Sequence, residues 1–348
     1  MHIHEYIFAA LVVIAILLAS NLMLTMTTEP LKVASEREGL KRIAQSIMTQ
    51  ILLNPGDPVD WGSNTTIGEN NLGSFGLAYQ SRTVREAYVL DADKILRLKN
   101  GANLNPFYIS PQKVSELLGL NTREYGFTIE ILPQFNITVE EISGGCRVSV
   151  KSVDGINPIQ YADVTAKMYY LSGGQIYEGS LVNGVTGPDG ACTIEFGEAP
   201  GAPAVVIFVV DYRGIRVPKV FVPSGSEESV QWALLVGRKL SLSVFSSVIY
   251  EVIAPIMDGE CEILEVSSGW GVGEDGFAYV EYVEPGTIVA LAAAGSDLII
   301  AQRFMDLVEY GTVSLRSPSL PLGFMLEKMV SVEGFSYIVR LYVWRLVW

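Results

Sequence analysis

Histidine is nearly absent. The two in the chain, His2 and His4, stand within the first four of 348 residues. A Ser-His-Asp triad, a Cys-His dyad or a site built on histidine metal ligands is therefore excluded from the body of the protein. Cysteine is almost as scarce: Cys146, Cys192 and Cys261 are isolated and show no C-x-x-C spacing, which leaves zinc, iron–sulfur and thioredoxin-like roles unsupported. Basic residues are few as well, 24 Lys plus Arg against 38 Asp plus Glu, for a formal charge of −14. With a sequence pI near 4.7 there is no basic face for a phosphate backbone, so no nucleic-acid partner is expected. Among 38 acidic residues, neighbours such as Glu140 and Glu141 arise without purpose, so the reading is non-enzymatic, with no catalytic residue, cofactor or metal.

What is present is apolar and unevenly spread. Mean hydropathy is +0.32, unusual for so acidic a chain. Residues 6–26 read YIFAALVVIAILLASNLMLTM, 21 positions without a charge. At 1.5 Å per residue this is about 30 Å, the hydrocarbon thickness of a bilayer, and it predicts a transmembrane helix. A buried core helix and a cleaved secretory signal are the alternatives. Core helices rarely run so long without a charge, and residues 1–5 carry no Lys or Arg to make a basic n-region. Beyond Glu29-Pro30 the pattern changes: Leu40, Ile43, Ala44, Ile47, Met48 and Ile51 recur at three- and four-residue spacings between charged residues, an amphipathic helix over 31–53. Pro30 marks the junction, as a kink or within the first turn of a second helix, and Asn54-Pro55-Gly56-Asp57-Pro58 stops it.

A hydrophobic half, a proline junction, an amphipathic half ending near residue 53 and a lone Glu5 together resemble the N-terminal helix of type IV pilins, particularly archaeal pilin-like proteins. The resemblance implies that the hydrophobic half anchors the subunit in the membrane before assembly and packs in a filament core afterwards. Glu5 would help neutralise the N-terminal amine of a neighbour, with Phe8, Leu11, Ile14, Leu18 and Leu22 as packing positions. The partners implied are further copies of the chain or other pilin-like subunits. The family's precursors carry a short basic leader ending in Lys or Arg followed by Gly or Ala; none precedes Ile7 here. Two signals disagree on orientation. Lys32, Arg37, Lys41 and Arg42 follow the helix and by the positive-inside rule would hold the body in the cytoplasm. The resemblance places it at the cell surface, as do, weakly, two sequons with Asn64 and Asn136 as glycosylation acceptors.

The likeness extends to about residue 130. A Pro-Gly-x-Pro-x-x-Trp turn ends in Trp61, Gly76-Leu77-Ala78 reads as a strand, and Asp91 and Asp93 lead a short helix containing Lys94. Trp61 is expected to cover the base of the amphipathic helix, and the two aspartates to face solvent as helix N-terminal carboxylates. Residues 110–119 read as a helix capped by Ser110 with Pro111 at its first position and Gly119 at its end, and 126–132 as a strand.

From residue 142 the chain is β in character. Residues 147–153, 162–171, 191–196, 205–212 and 215–221 are apolar or alternating runs between turn clusters, which predicts a sandwich. Gly187-Pro188-Asp189-Gly190 opening a strand resembles small immunoglobulin-like modules, and a matching Gly273-Glu274-Asp275-Gly276 recurs 86 residues later. This suggests a tandem duplication; chance convergence of two hairpins is the alternative. The G-x-G-x-x-G at 271–276 leads into a strand, so it reads as turn glycines and not a dinucleotide site. Residues 335–348 read as a long C-terminal strand with two apolar faces. Cys146 and Cys192 would form a disulfide if their strands face one another; free thiols are the alternative.

The expected fold class is α+β: a pilin-like helix (1–53), a small α+β region (54–141), an immunoglobulin-like β-sandwich (142–228) and a C-terminal β-sandwich (229–348). The expected function is a structural subunit of an extracellular filament. The alternative is a monomeric membrane-anchored adhesin or carbohydrate-binding protein.

Overall fold

The computed structural model describes residues 3–80, 85–99, 105–196, 203–241, 252–258, 260–266, 278–279, 289–303, 307–316 and 323–346. Strand makes up 47% and helix 20%, a β-rich α+β fold with several sheets. Helix α1 (Ile3–Leu53) is continuous over 51 residues. It passes through Pro30, so the proline lies inside one helix and does not open the first turn of a second. An internal proline removes one N–H···O=C rung, and the turns on either side carry on.

Strands β1 (Ala78–Gln80) and β2 (Arg85–Leu90) precede the short helices α2 (Ala92–Leu96) and α3 (Pro111–Leu117). Then come β3 (Tyr125–Pro133), β4 (Phe135–Ile142), β5 (Gly145–Ser152), β6 (Asp163–Ser172), β7 (Gln175–Glu178) and β8 (Val182–Val185). They are followed by β9 (Ala191–Glu195), β10 (Ala204–Tyr212), β11 (Ile215–Phe221), β12 (Val230–Val236) and β13 (Lys239–Ser241). β14 (Val252–Asp258), β15 (Glu260–Val266), β16 (Ala278–Tyr279), β17 (Val289–Ala294) and β18 (Asp297–Gln302) continue the chain. β19 (Val308–Gly311), β20 (Gly323–Val332) and β21 (Phe335–Arg345) complete it.

The strand order departs from the expected domain boundaries. One six-stranded sheet runs β1-β2-β20-β21-β3-β19, so strands from the expected C-terminal module pair with strands of the expected small region. β21 lies antiparallel to β3 from Tyr337↔Pro133 to Arg345↔Tyr125. Its inward residues Tyr337, Val339, Leu341 and Val343 share one core with Leu40, Ile47 and Ile51 of α1. β4 begins before the expected boundary at 141/142, pairs with β5, and joins a separate sheet β4-β5-β9.

The middle of the molecule is the five-stranded sheet β11-β10-β6-β7, with β8 also on β6. Val206, Phe208 and Val210 of β10 meet Ile137, Val148 and Ile194 of the three-stranded sheet in one core. Val205, Ile207 and Val209 face the other way, into the core that holds α1, β21 and residues of β12, β17 and β18. Residues 204–210 are therefore all buried, which is why they run apolar without alternation. Of the remaining sheet, β15-β14-β17-β18-β12-β13-β16, strands β12, β17 and β18 contribute residues to that larger core. Of the suggested duplication, the first copy is the turn before β9. The second lies outside the described residues apart from β16, as do the glycines at 271–276.

Candidate assembly interface

Helix α1 divides by environment. From Leu40 to Leu52 its apolar stripe is buried against the six-stranded sheet, with Ala44 and Ile51 at 0% exposure. In the other half Phe8, Leu11, Ile14 and Leu18 are exposed, Phe8 at 70% and Leu18 at 64%. Val12, Val13, Ile16 and Leu17 between them are exposed too. Successive residues point 100° apart around the axis, so four in a row, residues 11–14, leave the whole circumference uncovered. Burying eight such side chains would release on the order of ten kcal/mol, which no single flat partner could collect. Glu5 and Leu22 belong to α1, and their side chains lie outside those described. The described side chains in this half are Phe8 and residues 10–21, a stretch shorter than the roughly 20 apolar residues a span needs. Among the described residues no helix is long and apolar enough to cross a membrane.

The covered half is held by a buried ion network. Asp91 caps α2, accepting from the amides of Asp93 and Lys94. Lys94 is fully buried, and its Nζ donates to Pro55 O at 2.8 Å and Ala78 O at 2.9 Å, tying the turn after α1 to β1. The aspartates were expected to face solvent; the Asp91 side chain is only 18% exposed, and Asp93 is buried. Its Oδ1 accepts from Arg303 Nη1 and from the Gly237 amide, both at 3.0 Å, and Arg303 Nη2 reaches Glu333 Oε1 at 3.2 Å. Gly237 sits at φ +58°, and a side chain there would run into the Ser63 carbonyl, so only glycine brings this turn against the network. Arg97 donates to the carbonyls of Trp61, Ile67 and Phe107 and lies 5.4 Å from the centre of the Trp61 ring.

Trp61 takes the expected place. It is buried in the core that contains Leu40 and Ile51, and its Nε1 donates to Pro55 O and Gly76 O at 3.2 Å each. Burial pushes the Asp91 carboxyl up to about 6, with the neighbouring Asp93 charge adding to it. Burial likewise lowers Lys94, against the pull of Asp91. Arg303 loses hydration by burial, yet Asp93 and Glu333 hold it above its ordinary value. These groups spend their charge on one another, and the arrangement fastens three distant parts of the chain. Composition could not reveal it, although a Lys between Ala92 and Ile95-Leu96 in so short a helix was a signal of burial.

The remaining sequence-derived positions are scattered. Cys146 and Cys192 are free thiols, which corrects the suggested disulfide. In the β5–β9 register Cys146 stands opposite Ile194 and Cys192 opposite Val148, a diagonal two residues out of step. Diagonal Cβ atoms lie about 7 Å apart, beyond the roughly 4 Å a disulfide spans. Burial pushes the Cys146 thiol up to about 11, as befits an inert core residue. Asn64 is half-buried, donating to Asp60 Oδ2 at 3.1 Å and accepting from Thr66 Oγ1 at 2.7 Å. Asn136 and Thr138 are both exposed on one face of β4. A groove of 290 Å³ lies beside Asn136, walled by Leu132, Pro133, Phe135, Val217 and Pro218. Compared with protein-family models, with curated proteins and with solved structures, the chain matches none.

Proposed function

We propose that the protein is a structural subunit of an extracellular type IV pilus-like filament, anchored in the membrane by residues 6–26 before assembly. The observation that carries this reading is the asymmetry of α1. One half is a stripe locked to its own sheet; the other is apolar around its whole circumference and has no cover from the described residues. Lipid or a bundle of like helices surrounds a helix on every side, whereas a globular partner covers one face. In the filament, Phe8, Leu11, Ile14, Leu18 and Leu22 pack along the axis and Glu5 offsets a neighbour's amine. The β4–β11 region, as an immunoglobulin-like module, forms part of the outer sheath with its acidic surface toward the medium. Other pilin-like subunits are the remaining partners, and no catalytic role is assigned.

Electron microscopy of the purified full chain, moved from detergent into detergent-free buffer, tests the reading. Fibres with a helical repeat are expected. Single particles or micelles under all conditions would leave the monomeric surface anchor, an adhesin or carbohydrate receptor, in its place.

A further inference from the structure

The six-stranded sheet turns one face to α1 and the other away from it, and the outer face carries an acidic row. By strand register Glu327 of β20, Arg340 of β21, Glu130 of β3 and Glu309 of β19 stand side by side across four strands. Three carboxylates against one guanidinium give the row a charge of −2. Arg340 is partly spent on Glu327, with Nε at 2.7 Å from Oε2. Met325 and Met329 flank Glu327 on the same face and are exposed.

The opposite side of the same layer is basic. Where α1 lies on the sheet, its outward residues are Arg37, Glu38, Arg42, Gln45, Ser46 and Thr49, all exposed, with Lys41 partly so. Arg37, Lys41 and Arg42 against Glu38 leave +2 within six residues, on a chain whose total is −14. Close packing of strongly acidic copies is repulsive unless such patches meet acid.

We infer that the outer face of the six-stranded sheet in one copy docks onto the outward face of α1 around Arg37–Arg42 in the next copy. The dimensions are compatible. Arg37 and Lys41, four residues apart on one side of the helix, are about 6 Å apart along its axis, with Arg42 about 100° further round, while Glu327 and Glu130, two strands apart, are separated by about 9.5 Å, a difference long side chains absorb. Met325 and Met329 supply an adaptable apolar border. The two surfaces lie on opposite sides of one α/β layer, so the contact is head-to-tail: each copy offers one to each neighbour, and such contacts propagate along a filament wherever their rotation does not close a ring. The inference rests on the filament reading and names the lateral contact outside the helical core.

The test uses the full chain, with pelletable assembly as the readout and thermal unfolding by circular dichroism as the control. Arg42→Glu alone and Glu327→Lys alone are each expected to cut assembly about fivefold, the effect of roughly 1 kcal/mol per contact. The double variant should recover to within about twofold of the parent. Glu327→Gln, which keeps an oxygen for Arg340, should lose less than Glu327→Lys, and so separates a docking effect from damage to the sheet. Single variants that assemble like the parent, or a double variant no better than the worse single, overturn the contact while fibres of the parent leave the filament reading standing. A parent chain that never assembles removes both.

Discussion

The two halves of α1 are one unbroken helix with opposite dependencies. Residues 40–52 offer an apolar stripe with polar residues behind it, and the six-stranded sheet buries that stripe almost completely. Residues 10–18 are apolar on every side and exposed, and no described residue of the chain covers them. A sheet can collect the first kind of surface because it presents one face; it cannot collect the second. The difference is written in the angular spread of apolar residues and not in their number. A stripe can be covered by the chain folding on itself; on the filament proposal, the full cylinder is left for lipid or for other copies.

The sharpest way to break this contrast is through the network that holds the covered half. Arg303→Met would leave Asp93 buried and Glu333 half-buried without their cation, and a loss of about 3 kcal/mol or more is expected in denaturant unfolding of the full chain in detergent. Amide exchange should quicken across residues 40–53 and stay unchanged across 8–21. Equal quickening in both halves would make the division of the helix an error.

A paired truncation sharpens it further. Ile51→Ala should cost about 2–5 kcal/mol through the cavity it leaves, whereas Ile14→Ala should stay within about 0.5 kcal/mol in the same assay and act only on assembly. Similar losses at both positions would mean that the first half is covered after all.

The smallest effect is in pH. Below about pH 4 Asp91 is protonated both in the folded and in the unfolded chain and contributes nothing. Between about 4 and 6 the unfolded chain ionises first, so this residue lowers stability as pH rises, with the loss complete above the folded value. At full extent the difference is about 3 kcal/mol. Asp91→Asn keeps an acceptor for the Asp93 and Lys94 amides, so the variant should gain on the parent by up to that amount from pH 4 to 7. A stability difference that stays flat with pH would show that the carboxyl ionises normally.

Local features were legible in the sequence. Ser110, Pro111 and Gly119 bound α3 because capping is a matter of neighbouring backbone amides, and Ser110 accepts from the Lys113 amide as the pattern required. Alternation and turn clusters placed β3, β5, β6 and β9–β11 within a residue or two. Trp61 was placed because a Pro-Gly turn leaves few positions for an indole; Gly56, at φ +82°, lies against it where any side chain would collide. The failures concern partners far away in the chain. Asp93 looked like a solvent-facing carboxylate because Arg303 and Gly237 are nowhere near it in sequence. The suggested Cys146–Cys192 bridge failed on register, which is set by backbone pairing and carries no mark in composition.

By itself, the sequence determined the long helix, the exclusion of histidine chemistry, the strand-rich body and the contrast between cylinder and stripe, all of which depend on residues within a few turns or one hairpin of each other. Only the tertiary structure decided how the strands are shared. Residues 204–210 could have been the middle of one sandwich; they became the wall between two cores. The C-terminal strand could have closed a module of its own; it lies between β20 and β3 under α1. Backbone hydrogen-bonding groups are the same for every residue type but proline, so side-chain pattern says that a strand exists and which faces are apolar. Which edge it joins is decided by the packing of the whole chain.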